Sequence, residues 1–346
     1  MKKPLLEILK GNAPSRRPVW LMRQAGRYLP EYMEVRSQAG GFLELCYTPE
    51  FACEVTLQPL RRFDFDAAIL FADILLVPQA MGCDLEFLVN EGPSLRKIRS
   101  DKDVAGLAWD ISTLNKTLSP VYESVSLIRA NLDAEKTLIG FCGAPWTVAT
   151  YMIEGGTSTE RAMSRLAAFA NESWLNELID KLVYSSVEYL SAQVRAGAEV
   201  LQIFDTWAGD LSGNLLTRYC FDPISRMRAE LKIRHPDVPV IGFARGIGVS
   251  QTDFVDATGV DGVSIEWPVN TRWARDNLCP RCVVQGNLDP LSLIGGGEGM
   301  LDAARQILTD FPMNRHIFNL GHGIRKETSP EHVSDLVDFI RSHDGR

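Results

Sequence analysis

Eight short apolar runs recur along the 346-residue chain, and each ends in small or polar residues. Within each run the apolar residues do not alternate cleanly with polar ones, which is typical of parallel strands buried on both faces of a sheet. The runs cover residues 18–22, 67–73, 137–145, 199–206, 239–246, 261–268, 282–290 and 316–323. We therefore predict eight parallel strands.

Helical patterns separate several of these runs. Clear examples cover Glu172–Ala196, Pro223–Arg234 and Met300–Phe311, and no linker or low-complexity segment divides the chain. Eight strands that alternate with helices predict an α/β fold, a (β/α)8 TIM barrel in a single domain spanning residues 1–346. A doubly wound open sheet is the alternative, although the G-x-G-x-x-G pattern expected after its first strand is absent.

Composition and charge exclude some classes of protein. A formal net charge of -8 argues against non-specific binding of nucleic acid, which needs a basic surface. No apolar run approaches the roughly 20 residues that span a bilayer, and Glu7 interrupts the apolar part of the N-terminus, unlike a signal peptide. The seven cysteines lie mostly in apolar runs, which is typical of reduced thiols in a cytosolic protein. We therefore expect a cytoplasmic protein.

One pair of cysteines, Cys279 and Cys282, forms a CxxC pattern. A structural zinc site would need two more ligands at metal-site spacing, and no second CxxC or HxxxH appears. A redox pair would be expected to open a helix, whereas this pair precedes an apolar run. We predict two thiols at the entrance of a strand, and no metal site.

Functional residue types follow four of the predicted strands. They are Arg23, Asp73, Thr206 and His322. In a barrel the carboxyl ends of all strands open onto one face, and active sites are built on that face. We therefore predict that these four side chains line one site.

Arg23 and Arg27 are four residues apart, close to the end of an apolar run. Like charges at this spacing repel each other in a helix, and a charge near the core needs a partner. That partner is either an internal carboxylate, Glu31 or Glu34, or an anionic ligand. The planar guanidinium group suits carboxylates because it forms two parallel hydrogen bonds with them.

Further basic residues follow within the first 62 positions, namely Arg36, Arg61 and Arg62. A ligand rich in carboxylates would explain this concentration of basic side chains.

The other candidates each have a structural alternative. Asp73 could pair with an arginine, face a cation or cap the helix that follows. Thr206 could cap a helix or offer its hydroxyl group to a ligand, and Tyr151 could belong to the core, to the rim or to a ligand contact. Glycines flank His322 and permit close backbone approach to a ligand. The residues alone predict an anion site with an aspartate, and they do not name a reaction.

Two longer motifs resemble a known family. PVWLMRQAGRYLPEY (18–32) closely resembles the N-terminal signature of the uroporphyrinogen decarboxylase family, and GFCGAPWTVATYMIEGG (140–156) is similar to its second signature. Supporting similarity covers residues 57–82, 201–209 and 318–324, so that it extends over essentially the whole chain.

The resemblance implies a reaction. Members of this family remove the four acetate carboxyls of uroporphyrinogen III, which gives coproporphyrinogen III and four CO₂ in haem and tetrapyrrole synthesis. They are single-domain (β/α)8 barrels, commonly homodimers, and need no metal or organic cofactor. The protonated pyrrole ring of the substrate accepts the electrons, a task that a cofactor performs in other decarboxylases.

The resemblance also implies roles for particular residues. Asp73 would accept hydrogen bonds from the pyrrole N–H groups and stabilise the cationic ring, while Arg23 would bind a reacting carboxylate. Tyr151 and His322 would orient carboxylates. The implied substrate contacts are Arg23, Gln24, Ala25, Gly26, Arg27, Asp73, Tyr151, Thr206 and His322, with Arg36 and Phe204 as further contacts.

Two alternatives stay open at this point. Corrinoid- or cobalamin-linked methyltransferases resemble the family distantly and share its barrel, but they would need His and Cys zinc ligands at separate strand ends. A porphyrin carrier without catalysis is the second alternative, against which the presence of Asp73 beside the arginines argues.

Overall fold

The computed structural model of the protein describes residues 2–88 and 92–344. Its strands are β1 (Ala67–Ile69), β2 (Leu85–Leu88), β3 (Gly92–Leu95), β4 (Thr137–Gly143), β5 (Val200–Asp205), β6 (Val240–Ala244), β7 (Gly262–Ser264), β8 (Val283–Leu288) and β9 (His316–Leu320).

The helices surround these strands. They are α1 (Pro4–Leu9), α2 (Pro30–Gln38), α3 (Phe42–Tyr47), α4 (Pro49–Arg62), α5 (Leu76–Ala80), α6 (Asp101–Ala105), α7 (Ile111–Asn131), α8 (Pro145–Glu154), α9 (Ala162–Ala170), α10 (Ser173–Ala196), α11 (Asn214–Leu216), α12 (Asp222–Arg234), α13 (Gln251–Thr258), α14 (Thr271–Asn277), α15 (Pro290–Gly295), α16 (Gly297–Asp310) and α17 (Pro330–Asp344). Among the described helices, none is both long enough and apolar enough to cross a membrane.

Seven parallel strands form one curved sheet in the order β1-β4-β5-β6-β7-β8-β9. The segment 18–22 closes it, because it forms hydrogen bonds to both edges. On one side the Phe318 N–H donates to the Pro18 carbonyl over 2.8 Å, and on the other the Asp66 N–H donates to the Val19 carbonyl over 2.8 Å. The predicted (β/α)8 barrel is therefore confirmed.

The segment 18–22 is not itself a regular strand, contrary to the prediction. It forms a single isolated bridge, between Val19 and Phe318. The reason is that only the Trp20 N–H reaches a backbone carbonyl of the sheet, that of Phe318. Val19 instead donates to the Asp66 carboxylate over 2.7 Å, and Met22 donates to the Asn319 side-chain oxygen over 3.0 Å. A regular ladder needs those donors for backbone carbonyls.

The other seven apolar runs each contain a strand, although β1 is shorter than the run 67–73 predicts. The chain leaves the sheet after Leu70, because the Phe71 N–H donates to the Thr56 hydroxyl of α4 over 3.1 Å. Asp73 consequently lies in a loop beyond the end of the strand. The three predicted helices are confirmed as α10, α12 and α16.

Polar side chains fill part of the barrel interior. The Trp20 indole N–H donates to the Gln285 side-chain oxygen over 2.8 Å, and the Gln285 amide donates to Ser264 over 2.7 Å and to Gln202 over 3.1 Å. All four residues are completely buried. Buried polar groups are tolerated when they are hydrogen-bonded in this way, and such a network fixes the arrangement of the strands around it.

The C-terminal helix α17 holds the closing segment from outside. Arg341 donates to the Arg17 carbonyl over 2.9 Å and to the buried Asp66 carboxylate over 2.7 Å. Since Asp66 also accepts from Val19, the same carboxylate connects α17 to the segment 18–22. The first and last parts of the chain are therefore joined.

Candidate functional site

Arg23 follows the closing segment in an unusual backbone conformation. Its φ angle is +60°, in the left-handed region that non-glycine residues rarely adopt. The chain at Gly323 passes so close that a Cβ atom there would lie 2.6 Å from the Cγ atom of Arg23. The Ile324 N–H also donates to the Met22 carbonyl over 2.8 Å. The loop after β9, which carries His322, therefore packs directly against Arg23.

Asp73 lies in the loop between β1 and α5. One carboxylate oxygen accepts a hydrogen bond from the Leu75 N–H over 2.8 Å, and α5 begins at Leu76 without a side-chain cap. Asp73 thus forms a local turn and does not cap the helix. Burial raises the pKa of Asp73, while the Leu75 N–H and the nearby Arg23 charge oppose that rise.

The surroundings of Arg23 and Asp73 indicate a concave surface open to water, which we call the cleft. Arg23 keeps an exposed side chain and Asp73 is half-buried. Burial is nevertheless the largest influence on the pKa of each group: it lowers that of Arg23 and raises that of Asp73. Exposure to water and a strong effect of burial on the pKa occur together when a side chain lies in a concave surface. Water then reaches the side chain from one direction, and protein surrounds it in the others.

Neither Arg23 nor Arg27 has a hydrogen bond or ion pair with a carboxylate in the described part of the chain. Glu31, one of the two internal partners considered, instead pairs with Arg62 at 3.2 Å. Among the alternatives for the two arginines, the geometry favours an anionic ligand.

Two of the further basic residues do not contribute to this site. Arg61 pairs with Glu54, and Arg62 pairs with Glu31. A carboxylate-rich ligand is therefore the wrong explanation for these two residues, because carboxylates of the protein already neutralise them.

Tyr151 of α8 is half-buried beside the same groups. Burial, and then the Asp73 charge, raise the pKa of the Tyr151 phenol, while Arg23 and Arg161 oppose the rise. The Tyr151 ring lies 6.2 Å from the Trp207 ring, and the Arg161 guanidinium stacks on Trp207 at 4.2 Å. Trp207 therefore contacts both the Tyr151 ring and the Arg161 guanidinium, and an ion pair with Asp210 fixes the position of Arg161.

Thr206 directly follows β5, and its half-buried hydroxyl has no hydrogen-bond partner in the described part of the chain. Beneath it the completely buried Asp205 accepts a hydrogen bond from the Thr147 hydroxyl over 2.6 Å, and burial raises the pKa of Asp205 to about 6. The Phe204 ring lies 5.7 Å from Phe141 and 6.2 Å from Phe243. These rings supply an apolar floor.

His322 lies at the end of this row of rings, with its ring 6.2 Å from Phe243. Burial, followed by the charges of Arg23, Arg245 and Arg325, lowers the pKa of His322 to about 3. The imidazole is therefore neutral near pH 7, and it can offer one N–H donor and one nitrogen acceptor.

The turn between the two arginines is built by Gln24. Its buried side chain accepts from the Leu21 N–H over 3.3 Å and donates to the Ala67 carbonyl over 3.1 Å. In contrast, the N–H groups of Ala25 and Gly26 donate no hydrogen bond within the described residues. They remain available to a ligand oxygen.

Arg36 has local partners in and next to α2. It donates to the Tyr32 hydroxyl over 3.3 Å, and its guanidinium lies 5.9 Å from the centre of the Phe42 ring. No contact in the structure joins it to Asp73 or His322.

The structure brings together four of the side chains proposed from sequence, namely Arg23, Asp73, Tyr151 and His322, because the charge of Arg23 or Asp73 acts on each of the others. The sequence analysis missed Trp207, Arg245 and Arg325. Trp207 lies within the stretch 201–209, Arg245 lies at the end of the apolar run 239–246, and Arg325 directly follows the stretch 318–324, so their positions offered a signal. Nothing in the sequence indicated that Arg245 acts on His322.

The CxxC pair lies elsewhere. Cys279 and Cys282 are almost completely buried and immediately precede β8, at the amino end of the barrel. Burial raises the pKa of Cys279 to about 11 and that of Cys282 to about 12. Among the described residues no group of three or more His, Cys, Asp or Glu side chains is arranged to hold a metal ion. The set of His and Cys zinc ligands that the methyltransferase alternative needs is therefore not found among the described residues.

Comparisons with known proteins agree on one family. Residues 1–343 match the family model described as uroporphyrinogen decarboxylase (URO-D). The chain is 49% identical to the uroporphyrinogen decarboxylase of Jannaschia sp. (strain CCS1), over 99% of this chain and 99% of that protein. It is 48% identical to the uroporphyrinogen decarboxylase of Ruegeria pomeroyi, over 98% of both.

A solved structure supports the fold. A methyltransferase from Methanosarcina mazei superimposes with a TM-score of 0.80 over 99% of this chain and 98% of that one, at 21% sequence identity. At this identity the likeness establishes a shared barrel architecture and carries no information about the reaction.

Proposed function

The chain belongs to the uroporphyrinogen decarboxylase family, and from this premise we propose that its cleft removes the four acetate carboxyls of uroporphyrinogen III, giving coproporphyrinogen III and four CO₂. The protein is accordingly a carboxy-lyase of tetrapyrrole synthesis. One structural observation supports this assignment most: Arg23 and Arg27 have no carboxylate partner among the described residues, and Arg23 lies near both Arg27 and the Asp73 carboxylate. This charge arrangement suits a substrate with many carboxylates around a ring that becomes cationic.

We assign Asp73 the central role in the reaction. The four pyrrole N–H groups of the substrate can converge on one acceptor, and the free lone pairs of the Asp73 carboxylate are suited to that task. A proton from solvent adds to a pyrrole carbon and makes the ring cationic, and the ring then accepts the electron pair that remains when the C–C bond to the departing CO₂ breaks. The exocyclic carbon then takes up a proton and the ring carbon releases the one it gained, so that each acetate becomes a methyl group with net uptake of one proton. A fixed carboxylate beside the cation lowers the barrier because its charge is already in position.

The surrounding groups bind and orient the substrate in this proposal. Arg23 binds the reacting carboxylate, and Arg27 with the free N–H groups of Ala25 and Gly26 holds another one. Tyr151, Thr206 and the neutral His322 donate hydrogen bonds to further carboxylates, while Phe204 supports the face of the macrocycle. Arg23 is a poor acid because an arginine holds its proton firmly, so in this proposal the proton comes from solvent.

The assignment is tested by incubating the purified protein with uroporphyrinogen III and following coproporphyrinogen III and CO₂. We expect conversion by the wild type. Asp73→Asn keeps the shape of the side chain but loses the charge, and we expect kcat to fall by about 100- to 1000-fold, the range found when one preorganised electrostatic group is removed.

The matched control is Asp84→Asn, because Asp84 is exposed outside the cleft. It should retain wild-type turnover, and thermal unfolding should show that both variants are folded. Turnover of Asp73→Asn near the wild-type value would reject the role of Asp73. Substrate binding without any conversion by the wild type would favour the porphyrin carrier instead.

We further propose that the protein acts in the cytoplasm, that residues 1–346 form one domain, and that it assembles as a homodimer. The larger of two hydrophobic clusters among the described residues draws its members from Val19 to Ile340, which supports a single domain. The face of α9 supports dimerisation, because large apolar side chains point outward there.

A further inference from the structure

We propose that Arg325 binds a carboxylate of the substrate at the rim of the cleft, and so determines how tightly the polyacidic substrate is held. This inference rests on the proposed function and adds a residue beyond the motifs that identify the family. Three observations support it: the position of the loop, the charges around it and the side chains on which Arg325 acts.

The backbone around Arg325 is fixed against the wall of the cleft. Two residues earlier, Gly323 packs on the side chain of Arg23. The Ile324 N–H donates to the Met22 carbonyl over 2.8 Å, and the Arg325 carbonyl accepts from the Thr328 N–H over 3.1 Å. Arg325 is therefore held beside the first of the two cleft arginines.

The charge of Arg325 is not neutralised by the described part of the protein. Its side chain is exposed and has no ion pair or hydrogen bond. The nearby acidic residues have other partners: Glu327 pairs with Lys326 at 3.8 Å, and Glu266 pairs with Arg245 at 3.4 Å. A carboxylate brought by the substrate would be the missing partner.

The charge of Arg325 influences the pKa of Arg23 and of His322, but not that of Asp73. Its charge lowers the pKa of both Arg23 and His322, as expected for a neighbouring cation. It is absent from the groups that determine the pKa of Asp73, which are burial, the Leu75 N–H and Arg23. Arg325 therefore acts on carboxylate-binding groups of the cleft and not on Asp73, so its removal should weaken substrate binding with little effect on the step that Asp73 stabilises.

The chain offers a matched control, Arg315, at the other end of the same strand, β9. Arg315 directly precedes β9, whereas Arg325 follows it, so the two residues lie at opposite ends of the barrel. Arg315 is also exposed, and its side chain also has no ion pair or hydrogen bond within the described residues. Arg325→Gln and Arg315→Gln change the net charge equally.

The experiment measures kcat and KM for uroporphyrinogen III at several salt concentrations. For Arg325→Gln we expect KM to rise about fivefold, the effect of one partly exposed ion pair, with kcat changed by less than about twofold. The decrease of kcat/KM with salt should become shallower, because one charge pair is lost. Arg325→Lys should recover part of the affinity, and Arg315→Gln should behave as the wild type.

An unchanged KM and salt dependence in Arg325→Gln would overturn the inference, as would an equal change in Arg315→Gln. These outcomes require an active wild type, so they are distinct from failure of the proposed function, in which the wild type itself forms no coproporphyrinogen. If Arg325→Gln proves unfolded by thermal unfolding, Arg325→Met, which keeps an aliphatic side chain and removes the charge, replaces it: a raised KM at nearly unchanged kcat supports the inference, and an unchanged KM rejects it.

Discussion

His322 shows how the charges of the cleft act on one residue. The imidazole stands among Arg23, Arg245 and Arg325 in a half-buried position, so that protonating it would add a fourth positive charge. Its neutrality has a consequence for folding as well as for substrate binding. Between pH 6.5 and about pH 3 the unfolded chain binds a proton at this position that the folded chain does not bind.

We therefore predict that His322→Gln reduces the acid sensitivity of the fold. The free energy of unfolding of the wild type falls as the pH is lowered from 6.5, and the variant should fall less steeply. A single proton changes the slope of the free energy of unfolding by at most about 1.4 kcal/mol per pH unit. We expect a smaller difference between the wild type and the variant, because water reaches part of the ring. Urea unfolding at pH 7, 6 and 5 measures it.

His343→Gln serves as the control, since His343 lies in α17 outside the cleft. Identical pH dependence in the wild type and in His322→Gln would contradict the prediction.

At the residue scale, the sequence predicts which residue types form the site better than it predicts their protonation and backbone conformation. A histidine between glycines at a strand end could be recognised as a candidate, but its neutrality depends on arginines from two other loops. In the same way, the motif indicated that Arg23 matters, while its left-handed backbone and the close approach of Gly323 to its side chain are visible only in the fold.

Among the structural elements, the loop after β9 contributes two glycines with different neighbours. A Cβ atom at Gly323 would overlap the side chain of Arg23, which can rotate away. A Cβ atom at Gly321 would overlap the backbone of Trp267, which cannot move without shifting the chain. The two positions therefore separate an effect on the site from an effect on the fold.

We predict that Gly323→Ala lowers kcat/KM by about tenfold or more while the free energy of unfolding changes by less than about 1 kcal/mol. Gly321→Ala should lower the free energy of unfolding by about 1–3 kcal/mol, the usual cost of overpacking. Steady-state kinetics and urea unfolding of both variants test this pair. A greater loss of stability in Gly323→Ala than in Gly321→Ala would contradict the prediction, because it would show that the Arg23 side chain cannot rotate away from the added methyl group.

Strands could be predicted from apolar runs because parallel strands are buried on both faces, but their ends could not. The run 67–73 is apolar throughout, yet β1 ends at Ile69 because Thr56 of a different element takes the Phe71 N–H. The segment 18–22 has the composition of a strand, and side chains of Asp66 and Asn319 take the place of a backbone ladder. Both outcomes depend on distant residues.

At the scale of the whole molecule, α9 is oriented against its own pattern. The small residues Ser164, Ala167 and Ala168 are buried, whereas Leu166 is 60% exposed and Phe169 is 66% exposed. From sequence alone, Leu166 and Phe169 would be assigned to the core, and only the fold shows that they face outward. Large apolar side chains grouped on one face commonly mark a protein interface.

We predict that the double variant Leu166→Glu, Phe169→Glu is monomeric, because buried charges would disrupt an interface formed by this face. Light scattering should give a mass near 38.5 kDa for the variant and about twice that value for the wild type. Ile233→Glu is the control, since Ile233 is a strongly exposed apolar residue on a different helix, α12. A monomeric wild type would contradict the homodimer, and a dimeric double variant would exclude this face.

The closing segment gives biosynthesis of the enzyme a particular order. Val19 leaves the ribosome well before Phe318, its partner in the bridge. A nascent chain therefore carries Arg23 and Arg27 without their final support until β9 has been made. Products terminated before β9 should therefore be inert, because the segment that carries Arg23 lacks its pairing with Phe318.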